Sequence, residues 1–204
     1  MKITALKAQI KNPERVSIFV DSKYSFSLTL SEVLDQKLKK DLIVSEVDIS
    51  AYKKLSNDGK IKARAFEWLL NRPHSTHELK DYFYRKQVDK ELQENLIEEF
   101  RAKGVLNDER FADWSSERLK RKNKSTRAIT NELRSKGVDH VTIQSIVSRE
   151  GVNDSDALAA HIKKLSTRPR YSDQKKLITY LLSKGFSYGD VKSALSLQEP
   201  EQEP

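Results

Sequence analysis

Cysteine is absent from the 204 residues. Disulfide scaffolds, cysteine-ligated zinc and a cysteine nucleophile are therefore excluded. No uninterrupted apolar run approaches the roughly 18 residues that a membrane helix needs. The opening residues, Met1-Lys2-Ile3-Thr4-Ala5-Leu6, lack a long apolar core and a small-residue cleavage site. No signal peptide is expected, and the expected compartment is the cytoplasm. Aromatic residues make up only 8%, and Met1 is the single methionine. That composition suits a helix-rich protein with small cores better than one thick-cored domain. There is no glycine-rich phosphate loop and no Walker lysine. His74, His77, His140 and His161 lack metal-ligand spacing, apart from the i,i+3 pair at 74 and 77. Catalytic residues, a metal site and a cofactor are not expected.

Charge, by contrast, is plentiful. Charged residues make up 33% of the chain, and 38 Lys and Arg against 30 Asp and Glu leave a net charge of +8. Such an excess favours a polyanion or an acidic partner, without deciding between them.

The first thirty residues alternate with period two. Leu6, Ala8 and Ile10 form one alternating set, Val16, Ile18 and Val20 a second, and Tyr24, Phe26 and Leu28 a third. Asn12-Pro13 and Asp21-Ser22 interrupt them, which predicts a three-stranded meander over about residues 2–29. A short helix is expected from Ser31. Ser45-x-x-Asp48 reads as a capping box with Asp in place of Glu. The helix it opens carries Ile49, Tyr52 and Leu55, and Asn57-Asp58-Gly59 is expected to end it.

Beyond this point the chain repeats. Ser75-Thr76-His77-Glu78-Leu79 is echoed fifty positions on by Ser125-Thr126-Arg127-Ala128-Ile129. At the same offset Phe83 meets Leu133 and Val88-Asp89 meets Val138-Asp139. A third copy follows forty-eight positions later, with Leu177, Leu181 and Lys184-Gly185-Phe186. A period near fifty marks stacked supersecondary units. Leu133, Gly137 and Val138 fit a Schellman stop, with Gly137 at the left-handed C′ position. Gln87 takes that position in the first copy. Asp89, Asp139 and Ser187 are then placed to cap the next helices. The expected architecture is mainly α: three tandem three-helix repeats, helix-turn-helix-like, in an elongated array behind a small β meander. The expected segments are 1–56 for the meander and short helices, 57–104, 105–152 and 153–196 for the repeats, and 197–204 for a disordered acidic tail.

One junction is unusually informative. In Gly104-Val105-Leu106-Asn107-Asp108-Glu109-Arg110-Phe111-Ala112, Gly104 ends a helix and Asn107 or Asp108 caps the next. Asp108 and Glu109 suit the positive end of that helix dipole. Phe111, Ser115 and Leu119 form its inward stripe. The densest basic stretch follows, with Arg118, Lys120, Arg121, Lys122, Lys124 and Arg127 and no acid among residues 118–127. These residues are expected to lie outside the inward stripe, on a surface that meets phosphates or an acidic groove. Trp114, Arg134 and Lys136 extend the candidate surface.

The string from Gly104 to Ala112 resembles the signature of the RecX family, regulatory proteins that act on the RecA recombinase. The helix ending of Leu133, Lys136, Gly137 and Val138 resembles a second family feature. The likeness covers about residues 58–196, and the strands resemble an extension that many members carry. Where the family often has Lys-Gly, this chain has Asn123-Lys124. The resemblance implies a modulator that lies in the groove of the RecA–single-stranded DNA filament, spans adjacent subunits, and limits ATP hydrolysis and strand exchange; a monomer is expected. Direct contact with single- or double-stranded DNA is expected to be weak. The rival is a DNA-binding helix-turn-helix regulator. Its recognition helices would fall at about 90–103, 140–150 and 188–195, which are only patchily basic.

Overall fold

The computed structural model describes residues 1–149 and 154–196. The tail expected at 197–204 lies outside the described residues. Three strands, β1 (Ile3–Ala8), β2 (Arg15–Val20) and β3 (Lys23–Thr29), pair antiparallel in the order β1-β2-β3. Asp21 and Ser22 both take positive φ, 47° and 68°, in the two-residue turn between β2 and β3. That is the primed-turn geometry whose twist matches a hairpin. Val16, Ile18, Val20, Phe26 and Leu28 are buried as the alternation requires, whereas Tyr24 of the third set is 55% exposed.

The first strand departs from the expected pattern. A bulge between Ile3 and Ala5 shifts its register, so Ile3 rather than Ala8 or Ile10 enters the core. An extra residue in one strand exchanges its two faces, which period-two counting cannot foresee. Ile10 lies beyond the strand and is 99% exposed.

Ten α-helices follow among the described residues: α1 (Leu30–Asp35), α2 (Glu46–Leu70), α3 (Thr76–Arg85), α4 (Lys90–Ala102), α5 (Asp108–Lys120), α6 (Thr126–Ser135), α7 (His140–Arg149), α8 (Asp154–Ser166), α9 (Gln174–Ser183) and α10 (Tyr188–Ser196). A 3-10 turn at Pro169–Tyr171 separates α8 from α9. The chain forms two compact units, Met1–Asn71 with Gln87–Glu99, and Arg72–Lys86 with residues from Phe100 onward.

In the first unit, α2 lies on β3 and closes the meander's core. Its Ser45–Asp48 capping box forms as expected, with Asp48 N–H donating to Ser45 Oγ at 3.1 Å and Ser45 N–H donating to Asp48 Oδ2 at 2.8 Å. The stop expected at Asn57-Asp58-Gly59 does not occur, since α2 runs unbroken for 25 residues. Ser56 is buried against the sheet and donates to the Ser27 carbonyl at 2.5 Å. Three residues on, Gly59 meets Glu32, whose Oε1 lies 2.9 Å from where a Cβ would sit. Gly59 is thus a close-approach glycine inside a helix, not a terminator. The boundary expected at 56/57 falls inside α2.

The second unit shows the repeat directly. Phe111, Leu119, Ile129, Leu133, Val138, Ile143 and Ile146 form one core with α5, α6 and α7 packed on one another. Leu158, Ile162, Leu165, Leu177, Leu181, Phe186, Val191 and Leu195 form the next from α8, α9 and α10. Val138 N–H donates to the Leu133 carbonyl at 3.1 Å and Gly137 N–H to Arg134 at 3.0 Å, the paired bonds of a Schellman stop. Gly104, Gly137 and Gly185 take φ of 65°, 73° and 93°. Gln87 adopts the same left-handed conformation at φ 53° without being glycine.

Candidate interaction surface

The signature string is first a piece of architecture. Gly104 N–H bonds the Arg101 carbonyl and Val105 N–H the Phe100 carbonyl, both at 2.9 Å, which ends α4. Leu106 is buried, and Asn107 caps α5 by accepting from the Arg110 N–H at 2.8 Å. Arg110 returns its guanidinium to the Val105 carbonyl at 2.7 Å. Phe111 and Ala112 enter the core, while Glu109 stays exposed in the first turn. Asp108 has a different role from the expected cap. It accepts from both the N–H and the hydroxyl of Thr76, at 2.7 and 2.6 Å.

That contact recurs. Asp154 Oδ1 accepts from Thr126 N–H and Thr126 Oγ1, both at 2.7 Å. In each case the first helical residue of one repeat satisfies an orphan N–H at the start of the second helix of the repeat before it. The Schellman glycines close the same joints. A Cβ on Gly137 would come 2.8 Å from His77 Cβ, and one on Gly185 would come 2.6 Å from Ser125 Oγ. Leu133 holds the Val138 turn that delivers Gly137 to this contact.

A charged cluster lies beside the first joint. Glu78, 12% exposed at its side chain, meets Arg72 at 2.9 Å, His74 Nδ1 at 3.0 Å and Lys136 Nζ at 3.3 Å. Burial alone would raise the Glu78 pKa. The Arg72 hydrogen bond and charge, with hydrogen bonds from His74 and Lys136, outweigh it and hold the carboxyl below its ordinary value. Arg72 also stacks its guanidinium 5.0 Å from the Trp114 ring centroid, and Arg118 stacks on the same ring at 5.3 Å. Neither Arg72 nor Glu78 was singled out by sequence patterning. Repeat alignment does not mark the contacts of Arg72 with Trp114 and of Glu78 with Lys136, because these join different repeats.

The candidate basic residues therefore divide. Trp114 is half-buried against the α5–α7 core, with its ring centroid 6.1 Å from that of Phe111. Arg118 does not belong to an open face as expected. It is half-buried, and its Nε is buried without a hydrogen-bond partner, because cation–π stacking on Trp114 draws it inward. Lys120 is likewise half-buried. Lys136 is engaged by Glu78. The exposed group is Arg121, Lys122, Lys124 and Arg127, on the turn into α6, with Arg134 two helical turns beyond Arg127 on the same face. Arg121 pairs with Glu117 at 3.0 Å, both side chains well exposed. Asn123 holds this turn at φ 53°, with Lys124 N–H bonded to the Leu119 carbonyl at 3.1 Å. An asparagine tolerates the left-handed conformation better than most residues, and it does what a glycine would do there.

Among the described residues, no group of three or more His, Cys, Asp or Glu is placed to hold a metal ion, and no helix is long and apolar enough to cross a membrane.

Tandem three-helix repeats with an exposed cationic turn define a helical-repeat protein. A model of the regulatory protein RecX N-terminal domain matches residues 1–45, and a model of the second three-helix domain of RecX matches residues 107–145. The regulatory protein RecX of Bacillus subtilis (strain 168) is 30% identical over 210 residues, covering 98% of this chain and 78% of the relative. That of Listeria monocytogenes (strain EGD-e) is 30% identical over 202 residues, covering 95% and 74%. The chain belongs to the RecX family. A crystal structure of regulatory protein RecX superimposes with a TM-score of 0.73 at 20% identity, covering 96% of this chain and 98% of that one. RecX from Lactobacillus salivarius gives 0.58 at 19% identity, covering 70% and 97%. At these identities the likeness is one of fold.

Proposed function

We propose that this chain binds the RecA–single-stranded DNA filament and inhibits RecA ATPase and strand exchange, thereby modulating recombination, DNA repair and the SOS response in the cytoplasm. ATP is consumed by RecA, not by this chain. The observation that carries the reading is the pair of joints at Thr76–Asp108 and Thr126–Asp154. Repeat arrays present extended surfaces, which suits an extended partner. The cationic turn from Arg121 to Arg127 supplies charge for an acidic groove or for the strand within the filament. Acting as a monomer, one molecule would bridge several RecA protomers or block a growing end.

The test is RecA ATPase on single-stranded DNA with this protein titrated in. Inhibition should set in below one copy per RecA. Inhibition that begins only at or above equimolar amounts would count against the bridging arrangement, and none at all would overturn the reading.

A further inference from the structure

A second basic surface lies in the last repeat. Between Asp156 and Asp190 the chain carries seven lysines and arginines and one acid, Asp173. The 3-10 turn and α9 gather part of this charge around a cleft of about 620 Å³ lined by Arg170, Tyr171, Lys175, Lys176 and Tyr180. The two tyrosine rings meet inside it, with centroids 5.2 Å apart and planes tilted by 58°. Arg170 lies 5.8 Å from the Tyr171 ring centroid and Lys184 lies 5.0 Å from that of Tyr180.

The tyrosines are half-buried at the edge of the α8–α10 core, so their positions are fixed by packing. The four cations are exposed. Their long side chains can swing to a phosphate without giving up buried contacts. Asp173 is largely occupied: its Oδ1 accepts the Lys175 N–H at 2.9 Å, and its Oδ2 lies 3.9 Å from Lys176 Nζ. Lining hydroxyls are spent on helix carbonyls, Thr179 Oγ1 on Lys175 at 2.9 Å and Ser183 Oγ on Tyr180 at 2.6 Å. Recognition is thus left to ring faces and charge.

We infer that this cleft binds single-stranded nucleic acid, with a base stacked on the Tyr171–Tyr180 pair and flanking phosphates met by Arg170, Lys175 and Lys176. Fixed rings beside mobile cations form the stacking platform and electrostatic funnel of sequence-tolerant single-strand binding. An acidic peptide would use the cations but leave the rings without a role. A duplex keeps its bases stacked and cannot offer one to the cleft. The inference stands apart from the RecA reading, because a bare strand suffices.

The experiment is fluorescence anisotropy of a labelled oligothymidylate with the full chain and no RecA. The same length of duplex and poly-glutamate serve as comparison and competitor. K175E/K176E should weaken single-strand binding about tenfold near physiological salt and lower the slope of log K against log salt by about 1.4. Circular dichroism of the double variant should be unchanged. Ultraviolet cross-linking of a bromodeoxyuridine-substituted strand to the wild-type protein should map to Tyr171 or Tyr180, which avoids mutating half-buried rings. Unchanged affinity in the folded double variant, cross-links confined elsewhere, or duplex binding equal to single-strand binding would overturn the proposal. Competition by poly-glutamate as effective as that by unlabelled strand would reassign the cleft to an acidic protein. Strand binding by a wild-type protein that does not inhibit RecA would overturn only the filament reading.

Discussion

Asp108 and Thr76 are joined by two hydrogen bonds, from the Thr76 N–H at 2.7 Å and its hydroxyl at 2.6 Å. Thr76 opens α3, so its N–H has no partner within the helix. The carboxylate also sits where the helix dipole favours negative charge. Arg101 adds a third member, donating to Thr76 Oγ1 at 3.0 Å. The Asp154–Thr126 pair repeats the arrangement at the next joint.

Asp108→Ala should therefore destabilise the protein by about 1–3 kcal/mol, because it orphans a part-buried donor as well as losing its own bonds. Asp154→Ala should fall in the same range. Thr76→Val removes only the hydroxyl bond and should cost about 1 kcal/mol. A double-mutant cycle of Asp108→Ala with Thr76→Val, read by urea denaturation, should show coupling above about 0.5 kcal/mol. Additive effects would mean that the two residues do not act together.

Glu78 predicts an acid sensitivity. Its folded pKa is held below the ordinary 4.5. A carboxylate with a depressed folded pKa stabilises above its unfolded pKa, and that stability is lost as pH falls through the folded value. Thermal stability should decline below about pH 4.5, and the decline should be shallower in Glu78→Gln. At neutral pH that variant should be less stable by up to about 3 kcal/mol, because Arg72 and Lys136 lose their counter-charge. Parallel pH profiles for the two proteins would remove Glu78 from the account.

The left-handed positions separate backbone strain from contact. Gly104 and Gly137 have similar φ, but nothing lies within 4 Å of a Cβ on Gly104, while one on Gly137 would press on His77 at 2.8 Å. Gly104→Ala should cost about 1–2 kcal/mol from conformation alone. Gly137→Ala should cost clearly more, since both Cβ atoms belong to fixed backbone. Gln87→Gly should stabilise by about 1 kcal/mol, because φ is already 53° there. Differential scanning calorimetry of the three variants checks the order.

The repeat was legible because it is written in local signals. Leu133-Gly137-Val138 and Leu181-Gly185-Phe186 state a helix stop and a returning apolar contact within six residues. Capping at Asp89, Asp139 and Ser187 is equally local. What escaped is non-local. Gly59 reads as a helix terminator until Glu32 is seen against it, and Asp108 reads as a cap until Thr76 is found at its carboxylate. Arg118 reads as surface because helical spacing puts it off the stripe of Phe111, Ser115 and Leu119. Its partner is Trp114, at the edge of that stripe, and the long side chain folds onto the ring. The cleft at Tyr171 and Tyr180 has no local signature, because only folding brings the two rings together.

The division of the basic stretch fixes how it should be probed. Arg118 stacks on Trp114 and has a buried Nε, so charge reversal there would bury an acid beside the core and confuse folding with binding. Arg121, Lys122, Lys124 and Arg127 are exposed, and their joint change to Glu should leave the fold intact at about 0.5 kcal/mol or less per site. One exception is built in. Arg121 pairs with Glu117, but an exposed i,i+4 pair contributes only about 0.3–0.5 kcal/mol. A partner surface would meet a swing of about eight charges, since four go from +1 to −1, and steered association is steep in charge. Half-maximal inhibition of RecA ATPase should therefore shift upward by about tenfold or more, with circular dichroism and the melting midpoint close to wild type. Arg118→Ala should do the opposite, lowering the melting midpoint while affecting inhibition only as far as folding is lost. If the folded quadruple variant inhibits at wild-type concentrations, the turn from Arg121 to Arg127 is a solvated face, and the RecA contact lies on another part of the array.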